Sequence, residues 1–531
     1  MGRRDMKQVK FADRTAEMDA LLGDGRCFDM TSRLLRIGTR QAKLWVVNGY
    51  ADDAVLERMI AVWLKVPDWN GMDTLQDFLE RYVSIADVKT ETDQRKMATA
   101  VFAGKTLLMI DGFGGGILLD AKQFPLRAIS EPDASKVLRG SHDGFGESLM
   151  QNAALLRRRI RYPGLTLEPH QVGGRTAMDV AICYMEGKAD RKLLEELRRK
   201  LSAIDARSLS MGQESVAECL SPRQWYNPFP KVRYTERPDV AAACLMEGDV
   251  LLMLDNSASA MILPTTIWSF AEEINDYYFP PLIGSYLRIL RLVVLVLTLF
   301  ITPLWYLLVN DPDHLPESMR FLLVEGDYAV PLILQLLLVE FIIDILKLAS
   351  LNTPNSLSTA FSMLGALILG DFAVQSRWLV PEVLVYMAFV AVASYTQHSY
   401  EMGFACKLCR VLLLGLIWLL GWWGFGLGVA VILLLMATTR PLIGRGYLYP
   451  LIPFDGRALG AILRRRPSAG KTREKMRHDK ALRLHSGALC AMLNMYYYVR
   501  GGIPWLRCVT SGCFCWIWTA PFIWMSSCLT V

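Results

Sequence analysis

The sequence predicts an α+β soluble N-terminal region of two small domains, followed by an α-helical transmembrane domain. Three observations lead to this prediction. The 531 residues are 52% hydrophobic, with a mean hydropathy of +0.25, which is high for a soluble chain of this length. The long apolar runs are confined to 287–440, whereas 1–280 mix charged and apolar side chains. A strand–turn–strand pattern also occurs twice in the first part.

Composition divides the chain further. Residues 1–24 are polar and lack an apolar signal core, so we expect the soluble domains to stay on the cytoplasmic side. The segments that follow are a first α+β domain at 25–100, a second α+β domain at 101–280, a transmembrane domain at 281–440, a basic cytoplasmic segment at 441–467 and an atypical tail rich in Cys and Trp at 468–531.

Local patterns predict the elements of the soluble domains. In the first domain, strands are predicted at 28–35 and 43–47, and helices at 52–65, 73–82 and 91–102. In the second domain, helices are predicted at 145–160 and 191–204, and a strand at 176–184.

An internal repeat links two hairpins. Residues 104–111 (GKTLLMID) match residues 248–255 (GDVLLMLD), and a second apolar run follows each after five residues. We expect two related hairpins, in one sheet or in two packed sheets. The glycine-rich turn at 112–116 has NSASA as its counterpart, and no Lys-Ser or Lys-Thr pair opens a helix after it. It is therefore interpreted as a turn rather than a phosphate loop, with Asp111 and Asp255 as turn caps.

Four membrane spans are predicted, at 289–309, 328–348, 379–395 and 411–437. Basic residues precede the first span and follow the last, whereas the loop at 310–327 is acidic, so both flanks are expected on the cytoplasmic side. This orientation requires an even number of crossings. The weaker segment at 357–374 is accordingly interpreted as a re-entrant or half-buried element.

Two acids lie within the second predicted span. Glu340 and Asp344 share one helix face, and an uncompensated charge at bilayer depth costs at least ~2.5 kcal/mol. They are interpreted either as an ion-paired helix contact, with Lys347 able to neutralise Asp344, or as the lining of a cation path or a subunit interface. Asp371 in the weak segment belongs to the same candidate set. Gly424 and Gly428 predict close helix packing.

Other features exclude several function classes. The net charge of +6 is mild, and the basic run Arg157, Arg158, Arg159 and Arg161 has no interleaved aromatics, so it is interpreted as a solvated helix face or one facing lipid headgroups, not a nucleic-acid site. The 11 cysteines show no regular framework, and Cys406 and Cys409 are interpreted as neighbours on a helix face. Six scattered histidines and the lack of a catalytic constellation predict no enzyme, no metal and no cofactor.

Ordered motifs across 25–467 resemble the A-subunit family of bacterial spore germination proteins. Those in the soluble part are Glu131-Pro132-Asp133, Arg139-Gly140, Gly144-Phe145, Asn152 with 155–160, Arg237-Pro238-Asp239, Glu247-Gly248, Pro264-Thr265-Thr266 and Asp276-Tyr277-Tyr278. Those in the transmembrane part are 348–350 (LAS), 352–354 (NTP), 380–382 (VPE), 399–401 (SYE) and 450–454 (PLIPF). The loop at 141–143 (SHD) and the tail depart from the family pattern.

The resemblance implies a non-enzymatic protein of the inner spore membrane. It implies an oligomeric accessory that forms or gates an ion path and promotes ion release during germination, with a small membrane protein and other germination proteins as partners. One alternative is the A subunit of a nutrient germinant receptor, acting with B and C subunits. Another is a membrane-anchored enzyme.

Overall fold

The computed structural model describes residues 11–464, except for 70–73, 123–136, 138–139, 175–176, 205–210, 222–223, 274, 315–316, 325–327, 353–372, 398 and 445. The described chain has a globular region, residues 11–263, and a helical region, residues 281–438.

The globular region contains the same order of nine elements twice. The first unit comprises α1 (Phe11–Leu22), β1 (Met30–Ile37), β2 (Arg40–Val47), α2 (Asp53–Trp63), α3 (Leu75–Tyr82), β3 (Val88–Glu91), α4 (Gln94–Phe102), β4 (Thr106–Ile110) and β5 (Gly116–Leu119). The second unit comprises α5 (Leu149–Arg159), β6 (Leu165–Val172), β7 (Met178–Met185), α6 (Arg191–Ser202), α7 (Gln213–Leu220), β8 (Arg233–Thr235), α8 (Pro238–Glu247), β9 (Val250–Leu254) and β10 (Ala260–Leu263).

The two sheets also share one topology. The strand orders are β1-β2-β4-β5-β3 and β6-β7-β9-β10-β8, and all neighbours are antiparallel. The predicted hairpin repeat is therefore part of a duplication of the whole unit, and each hairpin lies in its own sheet. The predicted boundary at residue 100 is wrong for strands β4 and β5, because β4 pairs with β2 and completes the first sheet.

Each sheet lies between two helical layers. Successive residues of the fully buried strand β9 alternate between two apolar clusters, one formed with α6 and α7 and the other with α5 and α8. Strand β4 does the same between α2 and α3 on one side and α1 and α4 on the other. Because side chains of a strand alternate between faces, continuous apolar runs such as LLMI produce this two-sided burial.

Capping residues explain several helix boundaries. The Asp52 side chain accepts from the Val55 N–H at 3.1 Å at the start of α2, and Thr74 and Asp77 form a capping box on α3. Pro238 occupies the first turn of α8, where its missing N–H costs nothing. Gly248 ends α8 at φ 105°, a left-handed conformation that glycine adopts without a Cβ penalty.

A buried ion pair joins the two units. Arg157 on α5 donates from Nε to Asp29 Oδ2 at 2.7 Å, and both side chains are completely buried. The Tyr50 hydroxyl also crosses the junction and donates to the Ala154 carbonyl at 2.8 Å. The prediction of a solvated or lipid-facing basic run is therefore wrong for Arg157, and Arg159 is paired with Asp143.

The helical region contains five helices of 14 to 30 residues in its described part. They are α10 (Pro281–Asn310), α11 (Leu332–Asn352), α12 (Pro381–Ser394), α13 (Tyr400–Leu420) and α14 (Trp422–Thr438). A short helix, α9 (Asn275–Tyr278), precedes them, α15 (Gly456–Leu463) follows, and Ala373–Gln375 forms one helical turn. By length and composition, Pro281–Asn310 and Tyr400–Leu420 can cross a membrane, and α12 and α14 are shorter apolar helices.

The predicted span at 411–437 is wrong, because it is a hairpin of two helices. Gly421 separates α13 from α14 with φ 58° and ψ −131°, a conformation available essentially to glycine alone. A Cβ on Gly424 or Gly428 would overlap Leu416 or Leu413 of α13, so these glycines permit the close packing of the hairpin. The predicted segment 357–374 lies outside the described residues except for 373 and 374.

The last helix of the helical region leads back to the globular region. The Trp422 indole donates to Asp311 Oδ2 at 2.8 Å, so the hairpin turn lies beside the far end of α10. Helix α14 then returns, and the segment after it brings Leu442 and Ile443 into the core of the second unit. Lys200 on α6 donates to the Leu442 carbonyl at 2.5 Å.

Candidate functional site

A charged cluster lies between three apolar helices. Arg410 on α13 donates from Nε to Glu340 Oε1 of α11 at 2.5 Å, with side chains 5% and 4% exposed. The same guanidinium donates from Nη1 to the Thr298 carbonyl of α10 at 2.6 Å. One arginine therefore connects α10, α11 and α13, and it neutralises Glu340, which is more deeply buried than Asp344.

A second ion pair lies one turn away on the same helix faces. Asp344 is paired with Lys407, three residues before Arg410 on α13. Lys347, which the sequence suggested as the partner of Asp344, has its ammonium 5.9 Å from the ring centroids of both Tyr395 and Phe404. The cation that pairs with Asp344 is thus supplied by a different helix, because antiparallel packing of α11 on α13 brings the two charged faces together.

The cluster surrounds a small polar cavity of about 20 Å³. This volume holds about one water molecule. Two buried oxygens in its lining, Asp344 Oδ1 and Gln397 Oε1, lack a hydrogen-bond partner within the described structure. The other polar lining residues are Thr298, Glu340, Lys347, Ser394, Lys407 and Arg410.

The charge balance differs from the acidic lining considered from the sequence. Two acids, Glu340 and Asp344, share the cavity wall with Lys347, Lys407 and Arg410. Either acid without its basic partner would be an uncompensated charge in an apolar region. The ion pairs therefore explain how the acids are tolerated there. For Glu340, the structure favours the ion-paired helix contact over a free acidic surface.

A second network joins the globular region to the start of the helical region. Arg237 is 1% exposed, donates from Nε to Asp239 Oδ1 at 3.0 Å and donates from Nη2 to the Ser141 carbonyl at 2.6 Å. The Tyr278 hydroxyl donates to Asp239 Oδ2 at 2.8 Å. Gly140 has φ 117°, and a Cβ there would overlap the Tyr278 ring. Three motifs that are far apart in sequence therefore meet at one place.

The base of helix α10 is held by buried charges. Asp276 is completely buried and is paired with Arg288, at 3.3 Å between Nε and Oδ2, and with Arg291. Arg291 also lies 3.0 Å from Glu273 Oε2. Arg288 donates to the Ile462 carbonyl of α15 at 3.0 Å, so this joint connects three parts of the chain.

A titratable carboxyl lies beside this joint. Burial, reinforced by the Glu247 carboxylate, raises the pKa of Asp249 to about 7, whereas Arg233 acts in the opposite direction. Asp249 follows Gly248 directly and precedes the central strand β9. This group changes charge near neutral pH, which ordinary aspartates do not.

Three further motif residues lie at the start of the second unit. Phe145 is buried against the second sheet, and its N–H donates to the Glu236 carbonyl at 2.7 Å; Gly144 precedes it in the same loop. Asn152 bonds both the N–H and the carbonyl of Gly146. Five predicted site residues lie outside the described residues, namely Glu131, Pro132, Asp133, Arg139 and Asp371.

Sequence reasoning missed Lys407 and Arg410 as site residues. The predicted span began at residue 411, so both bases lay outside it. The available signal was the spacing: two acids four apart on one apolar helix are matched by two bases three apart on another. Cys406 and Cys409 are buried in an apolar cluster on α13, and the described residues contain no group of three potential metal ligands.

Comparison with known proteins identifies the family. The model "Bacillus/Clostridium GerA spore germination protein" matches residues 16–476. The chain belongs to the GerA family of spore germination proteins. Stage V sporulation protein AF of Bacillus subtilis is 36% identical over 465 residues, with 86% of this chain and 93% of that protein covered. This result confirms the family resemblance found in the sequence motifs.

Other GerA relatives are more distant. Spore germination protein KA of B. subtilis is 26% identical, with 88% of this chain and 89% of that protein covered. The B. subtilis membrane protein YfkQ is 28% identical, with 72% and 75% covered. Among solved structures, the N-terminal domain of the A subunit of the Bacillus megaterium spore germinant receptor GerK3 matches 48% of this chain and 94% of that chain, at 25% identity and a TM-score of 0.38.

Proposed function

We propose that this GerA-family protein is an integral membrane protein of the inner spore membrane that gates ion release during germination. Its globular region faces the cytoplasm, which becomes the spore core, and several copies assemble around an ion path. A small membrane protein and other germination proteins act with it. The role is non-enzymatic and requires no cofactor.

Exposed apolar side chains support the membrane placement. Leu282, Val385, Leu419 and Trp423, on four of the five helices of the described helical region, are between 65% and 86% exposed. Many exposed apolar side chains on apolar helices are unfavourable in water and are typical of lipid-facing helices. The segment after α14 is bonded to α6 of the globular region, and α15 is bonded to the base of α10. These two contacts support one side of the membrane for the flanking basic residues, as the positive-inside rule expects.

The charged cluster is the single observation that carries the gating role. In one chain, paired charges close a cavity of only about 20 Å³, too small for a continuous path. Separating α11 from α13 would break both ion pairs at once and expose five charged groups to the gap. We therefore propose that the ion pairs hold the closed state and that charged side chains line the path when the helices separate.

Two considerations support an assembly with an accessory role. Five charged groups on two helices are too few to line a pore, and a symmetric ring supplies several copies of each. The relative at 36% identity is a stage V sporulation protein, whereas the germination proteins KA and B1 are 26% and 27% identical. This difference favours an accessory over the A subunit of a nutrient receptor.

Potassium release from spores tests the proposal. Spores lacking the gene should release potassium more slowly after a nutrient stimulus, and Asp344→Asn, which weakens one ion pair, should change the rate of release. Asp313→Asn is the matched control, because it neutralises an exposed acid outside the cluster. Unchanged release in the deletion strain and in the Asp344 variant, with the protein present in parental spores, would refute the gating role.

A further inference from the structure

An exposed aromatic pair projects from the globular region. Trp225 is 95% exposed and Tyr226 is 55% exposed, and their rings make an edge-on contact with centroids 6.4 Å apart. Both side chains present large apolar surfaces to water, where burial would release free energy.

The residues on either side fix this pair to one end of helix α14. The Gln224 side chain donates to the Thr438 carbonyl at 2.9 Å and accepts from the Arg440 N–H at 3.3 Å. The Asn227 side chain donates to the Leu435 carbonyl at 3.1 Å and to Thr439 Oγ1 at 2.8 Å. The aromatic pair therefore lies at the level of the last turn of α14.

That turn is where the apolar surface of the helical region ends. Leu433 and Leu434 are 58% and 62% exposed, and the exposed, charged Arg440 follows within two turns. A change from exposed leucine to exposed arginine marks the boundary between hydrocarbon and headgroups for a helix in a bilayer. Tryptophan and tyrosine concentrate at this depth because their rings are apolar at one end and polar at the other.

We propose that Trp225 and Tyr226 insert into the headgroup layer of the bilayer and anchor the globular region to the membrane surface. This inference rests on the membrane placement of the proposed function, but not on the ion path. It gives the globular region a direct contact with lipid, in addition to its contacts with the helical region. The partner is the lipid itself, and the anchor holds the end of α14 at a fixed depth.

Photo-crosslinking of the full chain in vesicles of phosphatidylcholine and phosphatidylglycerol tests the anchor. We would place p-benzoylphenylalanine at position 225, at position 423 and at position 34 in separate variants. Trp423 is 86% exposed on α14 and reports the hydrocarbon, whereas Leu34 is 68% exposed on strand β1 and reports water. We expect lipid adducts at positions 225 and 423, and none at position 34.

The two possible failures are distinguishable. Lipid adducts at 423 with only protein adducts, or none, at 225 would overturn the anchor and leave the membrane placement standing. A protein adduct at 225 would then identify a second copy or another segment of this chain as the cover of the aromatic pair. A lack of lipid adducts at 423 as well would overturn the membrane placement and the anchor together.

Discussion

Arg157 and Asp29 form a bidentate ion pair across the junction of the duplicated units, with Nη2 3.2 Å from Oδ1 in addition to the 2.7 Å contact. Arg157 also lies over the Phe102 ring, 4.7 Å from its centroid, and donates to the Leu165 carbonyl at 2.8 Å. The pair is thus enclosed by both units and has no access to water.

Removing one partner of this pair should destabilise the protein strongly. Asp29→Asn or Arg157→Met leaves a buried charge without its counterion, at an expected cost of about 3–5 kcal/mol in the free energy of unfolding. The double variant should cost less than the sum of the two single variants. Thermal unfolding in detergent measures the effect, with Arg158→Met at an exposed neighbour as the control. Additive costs would contradict a direct interaction.

The ion pair between Glu340 and Arg410 should stabilise the closed state, in which α11 packs against α13. We expect Glu340→Gln and Arg410→Met each to raise ion leakage from dormant spores, because each leaves a buried group unpaired between α11 and α13. The double variant should leak less than either single variant. Potassium retained by dormant spores is the readout, after immunoblotting has established equal protein levels. Normal potassium retention in both single variants would be inconsistent with stabilisation of the closed state by this ion pair.

Gly140 should not tolerate a side chain. Gly140→Ala places a Cβ against the Tyr278 ring and forces alanine into a left-handed conformation, which costs about 1–2 kcal/mol. We expect lower protein levels in membranes and a lower midpoint of thermal unfolding. Tyr278→Ala in the same chain should restore part of the loss, by removing the overlap but not the backbone strain. Equal stability of Gly140→Ala and the parent would show that the loop relaxes freely.

Stability should fall as pH rises toward neutrality, in part because of Asp249. Its pKa is about 7 in the folded protein and about 3.9 in an unfolded chain, so the folded state binds more protons between these values. The free energy of unfolding therefore decreases from about pH 4 to about pH 7. Asp249→Asn should reduce this dependence, measured as the shift in unfolding midpoint between about pH 5 and about pH 8. A shift equal to that of the parent and of Asp313→Asn would contradict the raised pKa.

Residue Arg457 and the N-terminus should lie on the same side of the membrane. Helix α15, which contains Arg457, contacts the base of α10 through the bond from Arg288 to the Ile462 carbonyl. A reporter fused at either position should read as cytoplasmic, and one inserted at Asp313 should read as external. Opposite readings at the N-terminus and at Arg457 would require an odd number of crossings.

Local patterns predicted β1, β2, β7 and the helices α2 to α6 to within a few residues, because period and apolar length are local properties. They did not predict α1, β3, β6, α7, β8 or α8. The hairpin repeat was visible because β4 and β9 are buried on both faces and have kept their apolar residues. The rest of the duplication was hidden, since half-exposed strands and helices tolerate many side chains. The partner of Arg157 could not be predicted, because Asp29 is 128 residues away in the chain.

The glycine joint between α13 and α14 has a consequence for biosynthesis. A single residue, Gly421, separates two helices that pack along their lengths, so no loop is available to let the first helix settle in the bilayer before the second arrives. With the proposed membrane placement, we expect the pair to enter the bilayer as one hairpin, with its tip crossing first. That tip, 419–423 (LLGWW), carries no charge. Its transfer across the hydrocarbon therefore does not include the cost of desolvating a charged side chain.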